Sequence, residues 1–276
     1  MRPFRTTFTE VRGTDGRNKR QGATGLNRAV GLTNRYQGEL LKVFDSWTRR
    51  LAKDISAMGD MATEQGIMGM VDDRLPELLN TLQAIGRQRL TAGMRMGLKR
   101  HRSDRADAIL AERIASNDSY LSDSLIPALR DKIAEAVQQA GKVPVLQAKS
   151  GQAVRHYIAI ETDVMVGMVA SMRARVGSYS GALWEVIWTG VRIRGEDDDQ
   201  ERISLGKKTR RVRWVLDPTS DHCQARPGYY GCTDLAGEYE SWDALPTVPG
   251  AKVACLTSCR CRLSIEEWPG VWISGL

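Results

Sequence analysis

The chain has 276 residues, 42% hydrophobic and 26% charged, with a formal net charge of +7. A body of this length buries about three-quarters of its extended surface, so a true core forms and global disorder is excluded. No apolar run approaches the ~18 residues of a membrane span, and the start, Met1-Arg-Pro-Phe-Arg-Thr-Thr, has no apolar block of the kind a secretory signal carries; the sequence reads as a protein made in a cytoplasm, with no membrane segment.

Residues 1–36 carry Arg2, Arg5, Arg12, Arg17, Lys19, Arg20, Arg28 and Arg35 against Glu10 and Asp15, a local charge of +6. Rich in Gly, Thr and Asn and poor in large apolar side chains, this stretch predicts a basic, extended arm. From 37 to 177 the pattern is helical. Leu40, Phe44, Trp47, Leu51, Ile55 and Met58 recur at steps of three and four, one apolar stripe. Gly66 and Gly69 interrupt the pattern. Asp72 and Asp73 then offer capping oxygens, with Pro76 in a first-turn position and Leu75, Leu78, Leu82 and Ile85 as the next stripe. A shorter helix is expected over Ala106–Ser116. Leu121, Leu125, Leu129, Ile133 and Val137 step by four toward a stop at Gly141, and a last helix carries Val154, Ile158, Met165, Val169, Met172 and Val176 to Gly177. Met58, Met61, Met68, Met70, Met94 and Met96 are adaptable packers, read as core or as a face for a partner protein.

A second basic island lies within the helices. Arg87, Arg89, Arg95, Lys99, Arg100, Arg102 and Arg105 against Asp104 again give +6, which leaves the rest of the chain at −5. One such island alone reads as a solvated face. Two in an acidic background point to a polyanion, with Arg87, Arg89, Arg95, Lys99, Arg100 and Arg102 as the candidate contacts to double-stranded DNA, without sequence preference.

The composition changes after residue 178, where six of seven tryptophans and all five cysteines lie. Trp184–Trp188 and Arg211–Val215, β-branched and aromatic, predict two strands of a β-hairpin, with the acidic run Gly195–Glu201 as a loop at its tip. Beyond Asp217 the text is turn chemistry. The fold class expected is mainly α: a basic arm (1–36) and a helical region (37–177), followed by a small irregular α+β module (178–276) with a β-hairpin and a cysteine cluster.

Cys223, Cys232, Cys255, Cys259 and Cys261 follow the spacing C-x8-C-x22-C-x3-C-x-C. A segment with so little core of its own needs a staple, and thiolates are good ligands for a structural zinc ion closed by four sulfurs. Packing thiols are the second reading. Disulfides with one thiol left over are the third, which a cytoplasmic origin disfavours. Enzyme signatures are not found: there is no phosphate-binding G-x4-G-K-[ST], no H-E-x-x-H and no deaminase pairing of H-x-E with P-C-x-x-C. The expectation is a protein that is not an enzyme.

Trp214, Asp217, Asp221 and Cys223 lead into Cys232-Thr-Asp-Leu-Ala-Gly237; Tyr239, Ser241-Trp242, Leu245-Pro246 and Pro249-Gly250 follow, then Cys259-Arg-Cys-Arg-Leu263. This text resembles the C-terminal module of the phage head-morphogenesis, or minor head protein, family, over about residues 155–265. Two departures stand out. The family's C-x2-C is opened into C-x8-C by Ala225–Gly231, and Cys255 stands near where many relatives place a histidine. The resemblance implies a low-copy virion protein, assembled in the host cytoplasm and incorporated near the portal. Its implied partners are the portal or major capsid protein, and its role lies in head assembly, genome packaging or DNA delivery. A homo-oligomer around the portal is compatible with it. It also implies that Cys223 and Cys232 meet two of Cys255, Cys259 and Cys261 around one zinc. The alternative function is a zinc-containing nucleic-acid-binding regulator.

Overall fold

The computed structural model describes residues 16–58, 63–141, 172–218, 221–255, 259–268 and 271–274. The architecture is mainly helical, with a small antiparallel sheet and the cysteines gathered near the C-terminus. Among the described residues the main helices are α1 (Gly16–Met58), α2 (Glu64–Leu98), α3 (Asp104–Tyr120), α4 (Ile126–Gly141), joined to α3 by a π-helical turn at Leu121–Leu125, and α5 (Gly181–Ser204). Then come β1 (Val212–Val215), the single turn α6 (Cys232–Leu235), β2 (Gly237–Tyr239), β3 (Arg262–Trp268) and β4 (Val271–Ser274). Among the described residues no helix is long and apolar enough to cross a membrane.

The chain divides into two compact units. One comprises residues 38–87 and 115–177, the other residues 1–37, 88–114 and 178–276. In the first unit the predicted stripes are the core: Leu40, Phe44, Trp47, Leu51, Ile55, Leu75, Leu78, Leu82, Leu121, Leu125, Leu129, Ile133 and Val137 are all buried. Trp47 finds a partner for its indole N–H in the Arg74 carbonyl at 3.2 Å. On the surface, Arg130 holds Asp72 through two hydrogen bonds of 2.6 and 2.9 Å, and Arg173 reaches Asp45 at 2.9 Å. Met172 and Val176 of the expected last helix are buried within a helical stretch at 172–178, whereas its earlier positions lie outside the described residues.

Three expectations are corrected. The first is the extended arm. Residues 16–36 are helical, continuous with the rest of α1, while 1–15 lie outside the described residues. Leu26, Ala29, Val30, Thr33 and Tyr36 are buried at helical spacing and Arg28 and Arg35 are exposed, so small residues complete an apolar face that composition alone hides. Second, α2 does not start at Asp72 but runs through Pro76. Proline costs one backbone bond there, and burial of Ile67, Val71, Leu75 and Leu78 on both sides outweighs it.

Third, Trp184–Trp188 is helix, not strand, and the acidic run is its continuation rather than a loop. Leu183, Trp184, Ile187, Trp188 and Val191 fit a helical period as well as β propensity, and burial decides. The helix also lies against α2 at backbone distance. A Cβ on Gly97 would fall 2.2 Å from the Ile187 carbonyl oxygen, and one on Gly190 would fall 2.9 Å from that of Met94. Glu196 accepts from Arg105 (2.7 Å) and from Arg192 one turn back (2.5 Å). Asp197 meets His101 Nε2 at 2.6 Å, and Asp198 and Asp199 accept from the side chain and backbone of Arg210. Each carboxylate from Glu196 to Asp199 thus has a hydrogen-bonding partner.

The sheet has the order β2-β1-β3-β4, antiparallel throughout, with Val212 opposite Ile265 and Trp214 opposite Leu263. These four side chains are buried. On the opposite face Arg211 grips Glu266 with two bonds of 2.5 Å, and Arg211 and Arg213 share Glu238. That is the alternation of a sheet with one wet face. The hairpin of this module is β3–β4; β1 lies where its strand is predicted.

Candidate metal centre

Two Pro-Gly turns shape the cysteine module. In Arg226-Pro227-Gly228-Tyr229 and in Val248-Pro249-Gly250-Ala251, proline stands second and a glycine of positive φ (+79° and +95°) third, the requirements of a type II turn. Both are closed by hydrogen bonds, Tyr229 N–H to the Arg226 carbonyl at 2.8 Å and Ala251 N–H to that of Val248 at 3.0 Å. The first turn folds the eight-residue spacer back so that Cys232 N–H donates to the Cys223 carbonyl at 3.0 Å. The widened first pair is therefore a compact hairpin, and its ends stay together. Gly231 is required at the crossing, since a Cβ there would lie 2.7 Å from Ala225 N and 3.1 Å from the Cys223 oxygen.

A parallel bridge, Tyr230 with Val253, then aligns the two turn-bearing segments. Cys259 and Cys261 arrive on the extended approach to β3. Residues 259, 261, 263 and 265 are buried and 260, 262 and 264 are not, so the two cysteines share the inner face. Trp184 of α5 fixes this approach by donating its indole N–H to the Cys261 carbonyl at 3.1 Å.

These elements bring the sulfurs into two trios that share Cys232. Cys223, Cys232 and Cys255 lie within 4.8 Å of one another, and so do Cys232, Cys259 and Cys261. Cys223 and Cys255 Sγ stand 3.2 and 3.4 Å from Cys232 Sγ. The second trio is wholly buried; Cys223 and Cys255 are half-buried. The five candidate cysteines thus gather around Cys232, each trio close enough to hold a metal ion, and none is in a disulfide.

The electrostatics follow from crowding. Cys232 accepts hydrogen bonds from Cys259 and then from Cys223 and Cys255, which hold its thiol down at about 5 against the opposing effect of burial. Cys259 likewise draws Cys255 down. Burial and the bond given to Cys232 push Cys223 up to about 11, and bonds to Cys232, Cys255 and Cys261 push Cys259 up. Sulfurs this close cannot all ionise unless a cation sits among them, and a soft or borderline cation suits such donors.

The basic residues of 86–105 differ in exposure and in partners. Arg87 is bound to Asp118 at 2.6 Å and Arg89 is half-buried. Arg95, Lys99, Arg100 and Arg102 are exposed at the end of α2 and in the turn to α3, where Lys99 takes a left-handed conformation (φ +58°). Sequence reasoning missed Trp184, which no local signal ties to a cysteine 77 residues away. It names Pro249-Gly250 within the turn-rich text but not Pro227-Gly228 as its counterpart, although both are legible as turns. Compared with family models, curated proteins and solved structures, the chain matches none.

Proposed function

We propose that the chain is a structural, non-catalytic minor head protein of a tailed phage, incorporated near the portal, whose C-terminal module is fastened by one zinc ion. The observation that carries this reading is the gathering of all five sulfurs about Cys232, with Cys259-Arg-Cys-Arg-Leu263 running straight into the inner strand β3. Zinc takes four thiolates in a tetrahedron at about 2.3 Å and needs no fifth ligand. The buried Cys232, Cys259 and Cys261 supply three, and Cys255, which lies beside both Cys232 and Cys259, the fourth. A site closed by protein sulfur has no position for water, so the ion acts as a staple. The exposed Arg95, Lys99, Arg100 and Arg102 supply a point of contact with packaged double-stranded DNA.

The test is made on purified particles and on the isolated chain. Particles should hold the chain at a few copies per portal, crosslinked to portal or major capsid protein, and the freshly purified chain should carry about one zinc. A chain missing from particles that binds one DNA sequence tightly and with little salt dependence would instead be a regulator.

A further inference from the structure

A tetrahedral thiolate centre uses four sulfurs, and five are present here. The surplus falls on the open side of the cluster. Cys232, Cys259 and Cys261 are buried, Cys223 and Cys255 are half-buried, and Cys223 is the less enclosed of that pair. Cys223 begins the exposed hairpin at 224–230, so small solutes reach it. Its sulfur stands 3.2 Å from that of Cys232, and the two residues are joined through the backbone by the Cys232 N–H bond to the Cys223 carbonyl. Cys232 is the sulfur common to both trios, so its loss breaks both.

We propose that Cys223 is an oxidation site: a peroxide joins it to Cys232 as a disulfide, and the metal is released. The proposal rests on the zinc reading above, with Cys232, Cys255, Cys259 and Cys261 as the ligands and Cys223 as the spare thiol. In the step, the Cys223 thiol gives up its proton and the Cys232 thiolate gives up its bond to zinc. One S–S bond forms as hydrogen peroxide, the oxidant, accepts two electrons. With the thiol proton and one from solvent it leaves as two waters. Three sulfurs remain, and the tetrahedron is lost. Such a site would hold the module closed in a reducing cytoplasm and open it in an oxidising medium.

The experiment uses the full reduced, zinc-loaded chain, with hydrogen peroxide as oxidant and a chromophoric zinc indicator, followed by peptide mapping. Wild-type protein should release its zinc as a Cys223–Cys232 disulfide appears, and a dithiol reductant with added zinc should reverse both. Cys223→Ser should keep its zinc when reduced and release it to peroxide at least about tenfold more slowly. A Cys223→Ser protein that purifies without zinc would make Cys223 a ligand and overturn the proposal. So would wild-type release rates in that variant, or a mapped disulfide between other cysteines in the wild type. Reduced wild-type protein free of zinc would overturn the zinc reading as well, which separates the two failures.

Discussion

Tyr230 and Val253 pair as a parallel bridge, Tyr230 N–H donating to the Lys252 carbonyl and Ala254 N–H to that of Tyr230, both at 2.9 Å. Cys232 and Cys255 each follow two residues later, on equivalent positions of aligned segments, and their sulfurs stand 3.4 Å apart. The hairpin that carries Cys232 depends on Gly231, whose Cβ would lie 2.7 Å from Ala225 N. Gly231→Ala should weaken zinc binding about tenfold or more, read by competition with a chelator, because the ligands stay and their support moves.

Metal removal should act locally. Chelation is expected to open residues 217–263 to protease while the helical circular dichroism of α1–α4 persists, since their cores contain no cysteine. Trp184, buried and bonded to the Cys261 carbonyl, should change its fluorescence in the same titration. Cys232→Ser and Cys259→Ser should each purify without zinc.

The crossing of α2 and α5 admits no side chain at Gly97, whose Cβ would meet the Ile187 oxygen at 2.2 Å and Val191 N at 2.8 Å. Backbone cannot swing aside as a side chain can. Gly97→Ala should therefore cost about 3 kcal/mol or more in urea unfolding despite alanine's better helix propensity. Gly69→Ala is the control: it has open space and should be neutral or slightly stabilising.

Glu185 is half-buried on α5 beside Arg113, 2.6 Å away, and Gly250 packs onto its backbone. Burial raises its carboxyl above the ordinary 4.5, and Arg113 only partly opposes this. With the folded value above the unfolded one, the native state binds the proton more readily, so this group's contribution to stability falls as pH rises through that window. Glu185→Gln should be more stable than wild type at neutral pH, with the difference shrinking as pH falls toward 4.5. Urea titrations of both proteins across that range provide the check; a constant difference would contradict it.

Serine at Arg95, Lys99, Arg100 and Arg102 together should weaken DNA binding and flatten its salt dependence, by about 0.9 in log–log slope for each phosphate that is no longer neutralised. Serine at Arg87 alone should leave the slope unchanged, because that guanidinium is bound to Asp118.

How much of the fold is legible in the sequence varies with the element. The stripes Leu40–Ile55 and Leu121–Val137 are readable because large aliphatic residues at one spacing leave no rival structure. Residues 26–36 are not, because Ala29 and Thr33 carry a buried face without looking apolar. Trp184–Trp188 misleads for a different reason: its residues favour strand locally, and only burial on several sides, with a glycine crossing at 97 and 190, makes it helix. At the cysteines, residue types and the grouping of distant pairs are legible. The sharing of Cys232 between two trios is not, since it arises from a bridge between residues 23 apart.

The two Pro-Gly turns bear on kinetics. A flexible chain searching for closure between Cys223 and Cys261 would lose entropy over the whole interval, on the order of (3/2)RT ln n. Here Pro227-Gly228 and Pro249-Gly250 divide that interval into short closures sealed by backbone hydrogen bonds alone. A module opened by loss of its ion therefore keeps two bends already made, and its closure around a new ion has fewer joints to search.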